Sequence, residues 1–299
     1  MKKILLIGGN GYMGSRIYEY LLSEGYIIDN VDLCWFGKVF DETIVEDYRN
    51  LTKEIIQKYT HIILLAGHSS VSMCSDNFLS AFKNNVSNFI DIIEKITDEQ
   101  TLIYSTTCAV YGNTSELMDE TEQIKDSANY YDFTKVAREN IAKLYPNKKL
   151  IGLRFGTVGG FSKNYRIENL MNALTLSSLN KSLTISNGES MRSVLGITDF
   201  CLVMQKLLEA KTINHRIYNI TSFNDKIINI GNAIKDLTDS NILVNESLKT
   251  DYSFNCSNNR FEQEFNFKFN STVETIYKDI IENIDRIQYK NPRKTTTYV

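Results

Sequence analysis

Tyr131 and Lys135 stand four residues apart in Tyr130-Tyr131-Asp132-Phe133-Thr134-Lys135, a spacing that puts both side chains on one face of a helix. An ammonium beside a phenol stabilises the phenolate and moves its pKa down toward the range useful for proton transfer. Just upstream, a buried-strand pattern beginning at Thr101 ends in Ser105-Thr106-Thr107-Cys108-Ala109-Val110-Tyr111-Gly112. The Thr107 hydroxyl falls at the carboxyl end of that strand, where ligands bind in open α/β sheets. Together the three residues make an acid/base pair with an orienting hydroxyl. Alone, Tyr-x-x-x-Lys is more often a solvated helix face, so its meaning depends on what the rest of the chain positions around it.

The N-terminal stretch supplies that context. Ile4-Leu5-Leu6-Ile7 runs into Gly8-Gly9-Asn10-Gly11-Tyr12-Met13-Gly14, an apolar strand, a glycine-rich turn and the start of a helix. Gly8, Gly11 and Gly14 allow a tight turn, a close approach of backbone to phosphate and close packing of the helix on its strand. The N–H groups at the helix start, around Tyr12 and Met13, then face an anion. Asp32 lies near the end of the next strand, Ile27 to Leu33, at nearly the roughly 20-residue spacing expected of a carboxylate that accepts from a ribose hydroxyl. A carboxylate there repels a 2′-phosphate, which selects NAD over NADP. Trp35, Phe36 and the short segment Thr43 to Tyr48, with Asp47 and Tyr48, are placed to border the adenine.

These residues require a particular set of elements. Ile62 to Gly67 reads as a buried parallel strand, 78–96 as a helix carrying Leu79, Phe82, Val86, Phe89, Ile90 and Ile93 on one face, and 130–145 as the helix of Tyr131. Strand and helix alternating at this rhythm predict a Rossmann-type, doubly wound parallel α/β sheet. From Gly159 the rhythm breaks into shorter segments. The expected division is 1–158 plus 193–222 for an NAD-binding domain, and 159–192 plus 223–299 for a smaller, discontinuous substrate lobe. The polar tail from Gln288 reads as frayed.

Composition narrows the function classes. A 299-residue chain of net charge −3 with no long basic run argues against nucleic acid or an anionic membrane as partner. The N-terminal apolar run is too short for a signal peptide, and no run is long enough to span a membrane. Five scattered cysteines fit reduced thiols in a cytoplasm, and with three isolated histidines they give no metal site. Cys108 reads as a buried thiol rather than a nucleophile, and His68 as structural or solvent-facing rather than a ligand contact.

The chain resembles the extended short-chain dehydrogenase/reductases of the NAD-dependent nucleotide-sugar epimerase/dehydratase group. The likeness rests on the glycine motif, Asp32, Leu65-Ala66-Gly67, Asn85-Val86, Ser105 to Gly112, Tyr131-x-x-x-Lys135 and Leu153-Arg154-Phe155. It implies Tyr131 as acid/base, Lys135 as the cation that lowers its pKa and holds the nicotinamide ribose, and Thr107 as the residue orienting the sugar hydroxyl. Leu65, Ala66, Gly67 and Asn85 are implied at the cofactor. In the substrate lobe, Asn172 and Arg192 match the asparagine and arginine that grip the nucleotide diphosphate; a surface ion pair is the plainer role for Arg192. The resemblance also implies a homodimer pairing helices 78–96 and 130–145, with Phe89 or Ile93 as anchors if they face outward.

Three departures sharpen the expectation. Thr157-Val158-Gly159-Gly160-Phe161 replaces the family's Asn-Val-Tyr-Gly-Pro, which leaves Thr157 at the substrate. Ser247-Leu248-Lys249 stands where a second phosphate-binding arginine is expected, with Lys249 as a substitute point charge. Cys108 and Ala109 occupy the positions of the aspartate and glutamate that eliminate water in 4,6-dehydratases. A thiol and a methyl group cannot do that work. The expected activity is hydride transfer at C4 of a nucleotide-diphosphate sugar, 4-epimerisation first, with a 4-dehydrogenase or 4-keto reductase as alternative. A non-catalytic NAD-binding regulator is the reading from another class, against which the intact Thr107, Tyr131 and Lys135 argue.

Overall fold

The computed structural model describes residues 2–124, 126–245 and 252–291. Four apolar residues in succession make β1 (Lys3–Ile7) a strand buried on both faces, as a central parallel strand must be. Around it, β2 (Ile27–Asp32), β3 (Ile44–Val45), β4 (His61–Leu64) and β5 (Thr101–Thr107) join strands Lys149–Phe155 and Ile217–Ile220 in a seven-stranded sheet. Every pairing is parallel. The order across the sheet is Ile217–Ile220, Lys149–Phe155, β5, β4, β1, β2, β3, so the chain changes direction between β1 and β4 and opens a crevice at their carboxyl ends. The doubly wound parallel sheet expected from the sequence is present.

Apolar side chains fill both faces. On one, α1 (Tyr12–Ser23) and helix Ile197–Glu209 bury Ile17, Leu21, Phe200, Val203 and Met204; on the other lie Phe89, Ile92 and Ile93. A separate core holds Tyr165, Met171, Leu174, Leu183, Ile185, Ile230, Ile234, Ile276 and Ile280, the smaller lobe. A three-stranded sheet joins Thr157–Gly159, Met191–Gly196 and Phe223–Lys226, with Val194 packed in this core and Val158 and Leu195 in that of the large sheet. Helix Asn259–Phe265 packs Phe261 on Tyr218 of the large sheet with ring centroids 5.6 Å apart.

Two expectations about local structure change. Residues 78–96 are helical but interrupted: Lys83–Ser87 is a π-helical turn between Phe78–Phe82 and Asn88–Lys95. The wider turn breaks the regular register, so Leu79 is 77% exposed while Phe89 and Ile93 are fully buried. The tail is not frayed at its start, because Tyr289–Asn291 pairs with the edge strand Asn164–Arg166 and the Tyr289 hydroxyl donates to the Lys38 carbonyl at 3.1 Å. Among the described residues, no helix is long and apolar enough to cross a membrane.

Candidate active site

A cavity of about 450 Å³ occupies the crevice. At one end the glycine turn is held by packing: a Cβ on Gly14 would stand 2.0 Å from the Gly8 carbonyl oxygen, and one on Gly8, whose φ is +97°, 2.5 Å from the Ala66 nitrogen. α1 starts at Gly11 with no side-chain cap, and Gly11, Tyr12, Met13 and Gly14 line the cavity. An uncapped helix start facing a cavity fits a pyrophosphate. Asp32 lines the same end, its carboxylate fixed by the backbone N–H groups of Asn10 at 2.8 Å and Cys34 at 2.7 Å. Trp35, Phe36, Asp47, Tyr48, Leu65, Ala66 and Gly67 complete it. Asp47 is pinned by Arg49, whose Nε donates at 2.7 Å. These residues fit the NAD expected from the sequence.

Thr107, Tyr131 and Lys135 come together at the cavity's inner wall. Helix Tyr130–Lys143 starts at Asn129, whose side chain accepts from the Asp132 N–H, and it lies on β5. The Lys135 ammonium stands 5.4 Å from the centre of the Tyr131 ring and donates to Ser105 Oγ at 3.4 Å. The Thr107 hydroxyl faces the same cavity and acts on the Tyr131 phenol in the direction that favours the phenolate. The expected net fall in the Tyr131 pKa does not occur in the free protein. Burial pushes the phenol up to about 12, against the opposing pull of the Arg166 guanidinium. Burial likewise holds the Lys135 ammonium well below its ordinary range, helped by Arg138 and Arg166.

The floor beneath this pair is unusually cationic. Arg138 is fully buried, donates to the Asn85 carbonyl and to the Ser105 carbonyl at 3.4 Å, and leaves its Nη2 without a partner. Asn85 does not line the cavity. Its side chain joins the His68 backbone, at 2.9 and 3.0 Å, to the Thr134 hydroxyl at 3.0 Å, so it positions the Gly67 turn against the catalytic helix. His68 is buried rather than solvent-facing, its Nε2 without a partner and its ring edge-on to Trp35 with centroids 5.5 Å apart.

Substrate-side expectations fare unevenly. Thr157 lines the cavity. Asn172 does not: its amide accepts from the Gly160 N–H at 3.0 Å and donates to the Arg166 carbonyl at 2.9 Å, consumed in shaping the 157–172 segment. Asn169, one turn earlier at the start of that helix, does line it, as does Arg166. Arg192 is set behind the wall, its guanidinium 5.3 Å from both the Tyr252 and Phe254 rings, and those two aromatics are what the cavity meets. Lys249 lies outside the described residues. Cys108 is fully buried, its thiol donating to the Arg154 carbonyl at 3.1 Å, and burial pushes its acidity far from the nucleophilic range.

Residues 4–221 match the NAD dependent epimerase/dehydratase family. The chain belongs to that family. NAD is the family's cofactor, and the glycine turn with Asp32 fits it. Protein CapI of Staphylococcus aureus is 29% identical over 182 residues, 53% of this chain and 54% of CapI. A UDP-glucose 4-epimerase of Yersinia enterocolitica is 27% identical over 281 residues, 80% of this chain and 83% of that protein. The chain thus spans about half the length of the first curated relatives it matches. A Bacillus cereus UDP-glucuronic acid 4-epimerase solved with UDP-glucuronic acid and NAD superposes with a TM-score of 0.84 at 20% identity, covering 95% of this chain and 99% of that one. Solved dehydratases share the fold as well, so the fold leaves the reaction to the side chains.

Proposed function

We propose that this family member catalyses NAD-dependent 4-epimerisation of a nucleotide-diphosphate sugar. The observation that carries the reading is the distribution of carboxylates. Among the described residues, those lining the cavity are Asp32, Glu46 and Asp47, all after β2 and β3 at the cofactor end. Beside Thr107 and Tyr131, where an elimination would need them, stand the buried Cys108 and Ala109. Among the described residues, that end of the cavity wall offers the Tyr131 phenol for one hydroxyl proton and no carboxylate. Tyr131 takes the proton of the sugar's C4 hydroxyl, Thr107 holds that hydroxyl, and Lys135 with Arg138 and Arg166 offsets the phenolate charge. Bound NAD supplies the reversible hydride acceptor. Thr157, Arg166, Asn169, Tyr252 and Phe254 face the cavity from the smaller lobe, which supports a substrate held between the lobes with a guanidinium at its diphosphate. The assembly in this reading is a homodimer.

The test is incubation of the purified chain with NAD and a panel of nucleotide sugars, followed by NMR. Paired C4 epimers approaching equilibrium without net NADH are expected. A 4-keto-6-deoxy product would replace the reading with a dehydratase, stoichiometric NADH with a 4-dehydrogenase, and NAD binding without turnover on any sugar with a regulator.

A further inference from the structure

Besides Tyr12, Tyr48 and Tyr131, the cavity is lined by a further phenol whose anchor lies beside Tyr131. Tyr252 lines the cavity and its hydroxyl donates to Asp132 Oδ1 at 3.3 Å. Asp132 follows Tyr131 on the same helix and is 1% exposed. Its other oxygen accepts from the Asn129 amide at 2.7 Å, and its backbone N–H donates to the Asn129 side chain at 3.0 Å, which locks the carboxyl into the first helical turn. Among the described residues no ammonium or guanidinium stands within ion-pair distance of it. The compensation for its charge is the helix N-terminus and the two donated hydrogen bonds. Tyr252 is itself confined, over Arg192 and edge-on to Phe254 with centroids 5.5 Å apart.

A buried carboxyl without a cation is costly, and among the described residues its hydrogen-bonded link to the cavity wall is Tyr252. We propose that Asp132 is a positioning residue: by accepting the Tyr252 hydroxyl it sets that ring in the wall beside Tyr131 and so tunes binding of the sugar, not of the cofactor. This rests on the nucleotide-sugar reading above. The titratable and charged groups around the pair are Tyr131 on the same helix, Cys74 of helix Val71–Asp76, and Arg192 behind Tyr252. Burial pushes the Asp132 carboxyl up to about 6, so the charge is lost, and the hold on the ring weakened, as pH falls through that value.

The experiment uses Asp132→Asn and Tyr252→Phe, singly and combined, in the full chain with UDP-glucose and UDP-glucuronate. Each single change should raise KM about tenfold, the size of a charged hydrogen bond, and leave kcat and the NAD dissociation constant nearly unchanged. The double variant should be no worse than either single one, and the rise of KM below pH 6 should vanish in Asp132→Asn. Additive losses, or an equal loss of NAD affinity, would overturn the proposal. If the parent neither binds nor turns over either sugar nucleotide, the functional reading has failed, and the pair is then judged without substrate. Carbon-13 NMR should show the Asp132 carboxyl titrating near 6, and at higher pH in Tyr252→Phe. An unmoved titration there would show that the two side chains are not linked.

Discussion

At the scale of single residues, desolvation is the strongest force on this site. It raises Tyr131 and lowers Lys135, so neither is charged in the free protein as readily as the spacing of four implies. In the proposed reaction the phenol is still the group that carries the proton. Tyr131→Phe should lower kcat by about 10²- to 10⁴-fold with NAD affinity little changed, read by single-turnover kinetics and calorimetry; a matching loss of NAD affinity would assign the tyrosine to cofactor binding instead. His68 offers a second test. Burial takes its imidazole from the ordinary 6.5 down to about 4, so the folded state binds this proton less tightly than the unfolded chain. Its stabilising contribution is therefore complete above pH 6.5 and is lost as pH falls through about 4. Trp35 is the chain's one tryptophan and its ring meets His68. Its fluorescence should shift with a midpoint near 4, and His68→Gln should abolish the shift. A midpoint near 6.5 would mean the imidazole is solvated.

At the scale of elements, one buried ion pair holds the catalytic helix to the sheet. Arg154 on strand Lys149–Phe155 meets Glu139 of helix Tyr130–Lys143 through two hydrogen bonds of 3.0 and 2.6 Å. Thr106 of β5 donates to the same carboxylate at 2.7 Å, and Arg154 donates to the Tyr111 hydroxyl at 2.6 Å. Glu139→Ala strands the guanidinium and should destabilise the fold by about 3–5 kcal/mol, measured by denaturant unfolding. A loss below about 1 kcal/mol would put the pair in the weak class of surface bridges. This network also shows what the sequence reveals. Leu153-Arg154-Phe155 and Tyr131-x-x-x-Lys135 are legible as motifs, because parallel strands are apolar runs and glycine turns are spaced by backbone sterics. Which asparagine faces the cavity is not legible. Asn169 and Asn172 lie one turn apart, and only the tertiary demand for a partner to Gly160 turns Asn172 inward. Arg166 sits on a three-residue strand too short to show periodicity. Arg192 reads as a phosphate ligand until two aromatics, distant in sequence, cover it. The π turn at Lys83–Ser87 breaks the one assumption that periodicity makes, a constant number of residues per turn.

At the scale of the whole molecule, the same π turn decides which surface is free for a partner. Phe89 and Ile93 are fully buried and cannot be interface anchors. Ahead of the turn, Phe78 stacks on Tyr130 with centroids 4.2 Å apart, and Phe82 on Phe133 at 6.5 Å. Leu79, Tyr130 and Phe133 are 77%, 50% and 45% exposed. Exposed apolar side chains clustered on two adjacent helices suit a partner surface, and a two-fold axis covers them by using the same surface twice. Because Phe133 lies two residues from Tyr131, the proposed dimer also braces the catalytic helix. Light scattering at micromolar concentration should give twice the 34.3 kDa chain mass. Phe133→Glu with Leu79→Glu buries two carboxylates against aromatics if the patch is the interface; it should weaken association by more than about 100-fold, the size of a hot-spot loss. The resulting monomer should lose turnover, since the helix of Tyr131 forms the patch. A parent protein that scatters as one chain, or a doubly charged variant that still scatters as two, would place the partner surface elsewhere.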